Sequence, residues 1–326
     1  MLSRLSLLIL LFVALPFTGR AQRYAVVQYN CENLFDTVHD AGRQDQEFLP
    51  SGKRHWHSSR YWRKLSLLSQ AIIACGESRD STAAWQLPAL VALSEVENDS
   101  VVRDLCRRSA LRQAHYEWLM TDGEDPRGVD VALLYSPFLF RPVRHYSLRV
   151  ETPDSTPVRD MLYVEGEIQG GDTLHVVVLH APSRRGRGSA NHRRQLVAER
   201  VIQTVDSIQA LHPDPLILVM GDFNDETDGD MMQLLSQHLV HVCEGAKGTH
   251  GAKATYRYRG HWGSLDHILV SAPLAPRVKD KYIEDHPFLL EDDEKYGGKQ
   301  PKRTYVGPRY HQGASDHLPL VVVLKK

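Results

Sequence analysis

PLILVMGDFNDETD, residues 215–228, begins with an apolar run that stops at Gly221 and is followed at once by Asp222 and Asn224. A short apolar run bounded by turn residues predicts a strand that is buried on both faces. Asp222 and Asn224 are also common helix caps, so this stretch alone has an ordinary structural explanation. The interpretation of these residues as helix caps is less convincing if other predicted strands have similar residues at their ends.

Polar side chains do recur where predicted strands meet loops. YNCEN has Asn30 after the first strand, ALSEVEN has Glu95 after the second, VVVLHAPS has His180 after another, GSLDHILVS begins a strand with Asp266 and His267, and GASDHLPLVVV has Asp316 and His317 before the last strand. If these ends meet at one edge of the sheets, they form a cluster of oxygen ligands and imidazoles. Such a cluster suits magnesium or manganese better than zinc.

Apolar periodicity predicts strands and helices throughout the chain. The predicted strands are 24–30, 88–94, 115–120, 130–135, 160–168, 173–179, 215–220, 265–270 and 318–324, and the predicted helices are 60–75, a short helix capped by Asp99, 189–211 and a helix near 229–237. No linker rich in Pro, Gly or Ser divides the chain. We therefore expect one domain in which two sheets pack face to face with helices outside.

Composition is that of an ordinary globular protein, with 326 residues, 42% apolar and 24% charged. The formal net charge of −1 provides no global field that would draw the chain onto nucleic acid or an acidic membrane. The four cysteines, Cys31, Cys75, Cys106 and Cys243, match no zinc pattern. Disulfides and buried thiols both stay open at this point.

The first 21 residues are predicted to be a secretory signal peptide. Arg4 precedes a short apolar run, and Gly19 and Ala21 are the small residues expected at a cleavage site after Ala21. An uncleaved anchor is the alternative, but the run is shorter than the roughly 20 residues of a comfortable span. Loss of Arg4 and Arg20 would change the formal charge from −1 to −3. We expect an exported, periplasmic or extracellular monomer without a membrane span, with residues 22–326 as its one domain.

The ordered set Asn30, Glu95, His180, GDFN, LDH and SDH resembles the endonuclease/exonuclease/phosphatase superfamily. That superfamily includes pancreatic-type deoxyribonucleases, abasic-site endonucleases, sphingomyelinases and inositol polyphosphate 5-phosphatases. The resemblance covers residues 24–324, is most specific in GDFN and SDH, and looks closest to the exported bacterial branch. It implies an α+β fold, a four-layer αββα sandwich of two packed mixed β-sheets flanked by helices, with the site at one end of the sheets.

The resemblance also implies a metal centre. Glu95 matches the principal metal carboxylate, Asn30 lies beside it, and Asp316 matches a second carboxylate on the metal side. Mg²⁺ is the implied cofactor, with Mn²⁺ as an alternative. Glu97 in the same SEVEN stretch is the alternative to Glu95.

The catalytic roles implied by the resemblance fall on five residues. Asp222 matches the residue that orients or deprotonates the attacking water, and Asn224 matches the carboxamide that holds a phosphate oxygen. His317 matches the histidine at the scissile phosphate, and Asp266 matches the carboxylate that orients it. His180 resembles a second phosphate-contacting histidine. A serine triad is disfavoured because SDH is a run of consecutive residues, whereas triad members converge from separate segments.

Substrate contacts are predicted in a basic loop and at one strand entrance. The stretch PSRRGRGSANHRR, 182–194, holds Arg184 and Arg185 without any acid, which favours phosphate recognition over a merely solvated loop. Arg127 precedes the strand 130–135 and is a further candidate. His267 alternates with Asp266 along its strand, so we interpret it as structural. Residues 271–314 are predicted to form a long loop, either functional or disordered, whose tyrosines stack on substrate or anchor the loop.

These features predict a divalent-metal-dependent phosphoesterase that hydrolyses phosphodiester bonds by water attack, a nuclease or nucleotide phosphodiesterase. Its partner is then a phosphate-ester substrate such as nucleic acid or a nucleotide. One alternative is a phosphatase or a phospholipase C-like hydrolase of inositol phosphates or sphingomyelin. A non-catalytic phosphate-binding module is the alternative of another class.

Overall fold

A computed structural model describes residues 23–77, 79, 84–153, 156–184 and 188–325, so the predicted signal peptide and Arg185 lie outside the described residues. The helices are α1 Ser58–Ala74, α2 Asp99–Arg108, α3 Gly188–Leu211 and α4 Asp230–Leu235, with 3-10 turns at Gln46–Phe48, Ala110–Gln113, Ala275–Arg277 and Pro287–Leu289. Within the described part of the chain, no helix is both long and apolar enough to cross a membrane.

The strands were numbered in chain order. They are β1 Arg23–Leu34, β2 Leu90–Val96, β3 Glu117–Met120, β4 Asp130–Tyr135, β5 Phe140–Leu148, β6 Met161–Ile168, β7 Thr173–His180, β8 Leu216–Asp222, β9 Val240–His241, β10 Tyr256–Tyr258, β11 His261–Gly263, β12 Asp266–Val270, β13 Val278–Ile283, β14 Leu290–Asp292, β15 Lys299–Pro301, β16 Tyr305–Val306, β17 Arg309–Tyr310 and β18 Leu320–Lys325.

Twelve of these strands form two six-stranded sheets. The first sheet has the order β13-β18-β1-β2-β4-β3, and the second has the order β5-β6-β7-β8-β12-β9. Each sheet is mixed, because β1 and β2 are parallel in the first, β7 and β8 are parallel in the second, and the other neighbouring pairs are antiparallel. The prediction of two mixed sheets is confirmed.

The layers follow from the alternation of side chains along the strands. On β8, Leu218 and Met220 belong to the core shared by the two sheets, whereas Ile217 and Val219 pack in a second core with α3 and α4. The apolar faces of α1 and α2 pack on the first sheet as part of the larger core. The result is the four-layer αββα sandwich implied by the resemblance.

The predictions missed β5, β9, β10, β11 and the strands within 271–314, and they misplaced one helix cap. The strand β5 was missed because it is an edge strand with mostly exposed, polar side chains, so it lacks an apolar run. The predicted loop 271–314 contains the edge strand β13 and two small hairpins. Helix α2 is capped by Asn98 rather than by Asp99, since the Asn98 side chain accepts a hydrogen bond from the Val101 N–H.

Aromatic packing explains why residues 271–314 are ordered. The Tyr305 ring is buried, lies 6.1 Å from the Trp56 ring and is covered by the Arg54 guanidinium at 4.8 Å. Tyr305 therefore anchors this segment, while Tyr296 is exposed and remains available to solvent. The four cysteines are buried free thiols, which decides the question that the sequence left open.

Candidate active site

Strand register brings three predicted site residues together at one edge of the second sheet. The parallel strands β7 and β8 end together, with His180 opposite Asp222. The antiparallel strand β12 begins at that edge, with Asp266 opposite Asp222 on the other side. The end of β7 and the start of β12 therefore both lie beside Asp222. This convergence accounts for the carboxylate at the end of a buried apolar strand.

Glu95 reaches the same edge from the first sheet through a β-bulge. The register of β2 against β4 shifts between Ser94 and Val96, and Glu95 has a φ of 61°. Such a left-handed conformation is uncommon outside glycine and marks a local redirection of the chain. The Asn33 N–H donates to Glu95 Oε2 at 2.8 Å, and Glu95 Oε1 lies 3.8 Å from His180 Nε2.

Glu97 lies elsewhere. Its side chain is buried, and its Oε2 accepts a hydrogen bond from the Asp36 N–H at 2.7 Å. Burial raises the pKa of Glu97 to about 9, so this carboxyl is neutral at pH 7. Of the two glutamates in SEVEN, only Glu95 faces the cluster around Asp222.

Asp222 is at the centre of the cluster. Its Oδ2 accepts a hydrogen bond from Asn30 Nδ2 at 2.9 Å, and its Oδ1 accepts one from the Asn224 N–H at 2.8 Å. The same Oδ2 lies 3.7 Å from His180 Nε2 and 4.0 Å from His317 Nε2. Burial, with a contribution from Asp266, raises the pKa of Asp222 to about 7 against the opposing effect of His317. Asp222 can therefore exchange a proton near neutral pH.

His317 is held by a buried carboxylate. Its Nδ1 donates to Asp266 Oδ2 at 2.7 Å, and Gln28 Nε2 donates to the other carboxylate oxygen at 3.3 Å. Burial alone would lower the pKa of His317, but the carboxylates of Asp266, Asp222 and Asp316 together raise it well above the ordinary value. The raised pKa favours the imidazolium form of the ring, and its Nε2 lies 4.0 Å from Asp222 Oδ2.

His180 has the opposite electrostatic character. Burial, followed by the charges of Arg159, Arg127 and His317, lowers the pKa of His180 well below its ordinary value. Its Nδ1 is buried and has no hydrogen-bond partner among the described residues. The two distances from its Nε2 to carboxylates, 3.7 Å and 3.8 Å, exceed hydrogen-bond length. His180 is thus a neutral ring at the site that is not held by another side chain.

Two residues that sequence reasoning missed support the histidines. Arg159 is buried, donates to the backbone carbonyls of His180 and Ala181 at 2.9 Å each, and pairs with Asp125 at 2.8 Å. The ring of Tyr256 lies 4.9 Å from that of His317. A charged residue just before the apolar strand β6 was the available signal for Arg159, whereas Tyr256 reaches His317 only through tertiary contact.

The remaining predicted residues lie around this cluster. Asn224 has a φ of 49° and donates from its Nδ2 to the Ala181 carbonyl at 3.1 Å. Asp316 pairs with Arg303 at 3.2 Å, and Asn30 Oδ1 accepts a hydrogen bond from the Glu32 N–H at 2.8 Å. These contacts engage groups that the resemblance implies as metal or phosphate ligands.

The predicted arginines are less uniform in position. Arg127 contacts Asn33 Oδ1 at 3.4 Å, next to the backbone N–H that holds Glu95, and its guanidinium is 3.6 Å from Asp125. Arg184 is exposed and pairs with Glu226 at 2.9 Å. His267, interpreted as structural, is buried and points away from Asp266, with its Nε2 3.0 Å from the Asp225 carbonyl oxygen.

Solved structures from several organisms share this fold. Truncated TDP2 of Caenorhabditis elegans superposes with a TM-score of 0.59 at 16% identity, covering 93% of this chain and 98% of that chain. The human Nocturnin catalytic domain gives 0.57 at 16% identity, covering 93% and 95%. A mannosyl-6-phosphatase of Bacteroides thetaiotaomicron gives 0.56 at 15% identity, covering 92% and 98%. At these identities the likeness shows the fold alone.

No curated protein matches the chain in sequence. A family model described as "Endonuclease/Exonuclease/phosphatase family" matches residues 25–326, which is nearly the whole chain. Members of that family are metal-dependent phosphoester hydrolases. Because the match extends over both sheets and over every strand end that converges on Asp222, this chain belongs to the endonuclease/exonuclease/phosphatase family.

Proposed function

We propose that this enzyme hydrolyses phosphodiester bonds by direct attack of water and acts as a nuclease or nucleotide phosphodiesterase. One observation carries the proposal. Asp222 Oδ2 lies 3.7 Å from His180 Nε2 and 4.0 Å from His317 Nε2. Polar atoms at that separation do not bond to each other, but an intervening oxygen can bridge them. A water or phosphate oxygen in that gap would meet one base and two donors.

The proposed role of each side chain in the reaction follows from its protonation state. Asp222 has a raised pKa, about 7, which suits a general base near neutral pH, and Asn30 Nδ2 fixes its orientation. His317 would donate from Nε2 to a phosphate oxygen that becomes more negative in the transition state, with Asp266 preserving its charge. His180, which is neutral, would donate a second hydrogen bond from Nε2. No covalent nucleophile is needed for this reaction.

The residues on the Glu95 side fit a hard divalent cation. Glu95 has one oxygen fixed by a backbone N–H and a second that is not so bound, and its side chain is 16% exposed, so it is reachable from solvent. We assign Glu95, with Asp316 and Asn30, to the metal, Mg²⁺ or Mn²⁺. When bound, the cation would neutralise charge on the phosphate and on the leaving oxygen.

Another group, Asp222, Asp266 and His317, has its ligand atoms within 4.8 Å of one another. The 2.7 Å hydrogen bond between His317 Nδ1 and Asp266 Oδ2 already uses two of these atoms. A cation bound at Nδ1 would have to replace that bond and would remove the proton that makes His317 an imidazolium. We therefore keep this group for proton handling and assign the metal to the Glu95 side.

Substrate selection is proposed to depend on Arg127, Arg184 and Arg185. Arg127 is next to the loop that holds Glu95, so it is suited to a phosphate oxygen near the metal. Arg184 is already paired with Glu226, which weakens its attraction for an extended polyanion. That pair favours, as a second candidate, hydrolysis of a small phosphate ester such as an inositol phosphate.

A substrate panel tests the proposal. Metal-depleted enzyme is supplied with Mg²⁺ or Mn²⁺ and assayed on plasmid, single-stranded nucleic acid, a dinucleotide, sphingomyelin and an inositol phosphate, with Asp222→Asn as the control. Chain cleavage with a steep salt dependence supports a nuclease, since several phosphate contacts release counterions. Activity confined to the small ester supports the second candidate. Full activity in excess chelator contradicts both.

Export is proposed on the N-terminal sequence alone. Expression of the full chain in a bacterial host, followed by fractionation and N-terminal sequencing, tests it. A periplasmic or secreted product that begins at Gln22 supports the proposal. A cytoplasmic product that retains Met1 contradicts it.

A further inference from the structure

Two histidines and a cysteine converge behind the candidate active site, at the edge of the second sheet. His241 Nε2 is 3.1 Å from His267 Nδ1 and 3.2 Å from Cys243 Sγ. The three atoms lie within 4.8 Å of one another. Cys243 and His267 are buried, and His241 is partly buried. Proposed catalysis uses none of the three residues.

The surroundings orient all three groups toward a common point. His267 Nε2 lies 3.0 Å from the Asp225 carbonyl oxygen, so this nitrogen carries the proton and Nδ1 presents its lone pair to the cluster. Metal-binding histidines characteristically have such a backbone acceptor on the second nitrogen. Burial lowers the pKa of His267 to about 4 and also lowers that of His241, so both rings are neutral. The Ile268 N–H points at Cys243 Sγ from 3.1 Å.

Two of the three ligand spacings are close to those of a tetrahedral zinc site. With Zn–N bonds of about 2.05 Å and a Zn–S bond of about 2.3 Å, tetrahedral ligands are about 3.3 Å (N to N) and about 3.6 Å (N to S) apart. The observed 3.1 Å and 3.2 Å would need to widen by only a few tenths of an ångström. We propose that His241, Cys243 and His267 bind a zinc ion, a site separate from the hard-cation site at Glu95.

Donor type separates the two sites. Nitrogen and thiolate ligands favour Zn²⁺ over Mg²⁺, whereas the oxygen ligands on the Glu95 side favour the hard ion. The thiol proton of Cys243 would be released to solvent on binding, because the thiolate is the ligand. A fourth position can be taken by water or by Glu244, since both Glu244 and the three ligands line a small cavity.

Such an ion would hold the edge of the sheet together. Strand β9 has two residues and pairs with β12 only through Val240 opposite Val270 and His241 opposite Leu269. His267 belongs to β12, and its other nitrogen contacts Asp225 in the loop that follows Asn224. The bound metal would connect β9, β12 and that loop, so its expected effect is stability rather than chemistry.

Cobalt gives a readout that does not depend on activity. Metal-depleted wild-type protein in saturating Mg²⁺ is titrated with Co²⁺, and the near-ultraviolet thiolate-to-cobalt charge-transfer band is recorded. The expected result is one equivalent bound, with a band that Zn²⁺ displaces. Cys243→Ala should abolish the band, and Cys106→Ala, which removes another buried thiol, should retain it. No band, or a band that survives in Cys243→Ala, would overturn the proposal.

A second variant covers the case in which Cys243→Ala fails to fold. His241 is partly exposed, so His241→Ala should be tolerated and should weaken Co²⁺ binding at least tenfold, since even outer-shell changes cost about 10- to 100-fold in affinity. Zn²⁺ at about a hundredfold excess over its Kd should raise the Tm of the wild type by about 4 °C. Unchanged affinity in His241→Ala, or a Tm insensitive to Zn²⁺, would count against the site.

Discussion

The hydrogen bond between Asp266 and His317 allows a quantitative test of the proposed mechanism. Its atoms are 2.7 Å apart and both side chains are buried, so the carboxylate keeps the ring charged and correctly oriented. A hydrogen bond to a charged group contributes about 1.5–3 kcal/mol. At about 1.36 kcal/mol per tenfold in rate, Asp266→Asn should lower kcat about 10- to 150-fold. His317→Ala should cost about 10²- to 10⁴-fold, the range for an acid–base group.

The energetic coupling between Asp266→Asn and His317→Ala tests whether Asp266 acts through His317. If Asp266 acts only through the ring, Asp266→Asn should cost almost nothing further in the His317→Ala background. The interaction energy of the cycle should then equal the full cost of Asp266→Asn, about 1.5–3 kcal/mol. In Asp266→Asn alone, the pKa of His317 should fall because burial is no longer opposed by the nearest carboxylate. The alkaline limb of the kcat profile should therefore move to lower pH.

The measurement is kcat against pH at saturating metal, on four proteins shown by circular dichroism and Tm to be folded. Asp285→Asn is a matched control, because Asp285 is a buried carboxylate that accepts hydrogen bonds from backbone N–H groups at 249, 250 and 252. It should change stability without changing kcat. Additive losses from Asp266→Asn and His317→Ala, or an unmoved alkaline limb, would refute the reasoning.

Four further outcomes are expected. Glu95→Gln should raise the metal concentration needed for half-maximal activity by about tenfold or more, whereas Glu97→Gln should leave it unchanged; the reverse pattern in metal titrations would assign the metal to Glu97. The folded state holds the proton of Glu97 up to about pH 9, above the unfolded pKa, so wild-type stability should decline as pH rises toward 9, and Tm scans of Glu97→Gln should show less decline. The value of kcat/KM should fall below about pH 7 as Asp222 becomes protonated, and Asp222→Asn should remove this acid limb along with about 10²- to 10⁴-fold of activity. Arg184→Ala should raise KM without lowering kcat, and Glu226→Ala, which frees Arg184, should lower KM; steady-state kinetics on the active substrate checks both.

The fold was predictable to the extent that burial leaves an apolar run. Strand β8 lies between β7 and β12 and is buried on both faces, so its sequence shows an apolar run directly. Strands β5 and β13 are at sheet edges, where more than half of the side chains are exposed or only partly buried, and their sequences resemble loops. Edge position is a property of the assembled sheet and cannot be inferred from the strand's own residues.

The residues of the candidate site were likewise predictable only where they adjoin an apolar run. Asp222, His180 and Asp266 were predictable because they directly adjoin apolar runs, and strand register then aligns them. Arg159 and Tyr256 were missed because their importance arises from contacts with His180 and His317 that are distant in sequence. The ion pair of Arg184 with Glu226 was likewise not predictable, because the loop that contains Arg184 has no acidic residue of its own.

The choice between Glu95 and Glu97 shows why a regular pattern fails at a site. In an unbroken strand, side chains two residues apart point to the same face of the sheet. Alternation alone would therefore place Glu95 and Glu97 on one face. The bulge at Glu95, with its φ of 61°, breaks that alternation. As a result Glu95 turns toward His180, while Glu97 accepts the Asp36 N–H and is neutral. The left-handed conformation is opposed by the side chain itself, and the Asn33 N–H bonded to Glu95 Oε2 helps to hold it. A strained residue kept in place by its surroundings motivates a functional hypothesis, and here the strain separates the carboxylate proposed to bind metal from its neighbour in the same short stretch.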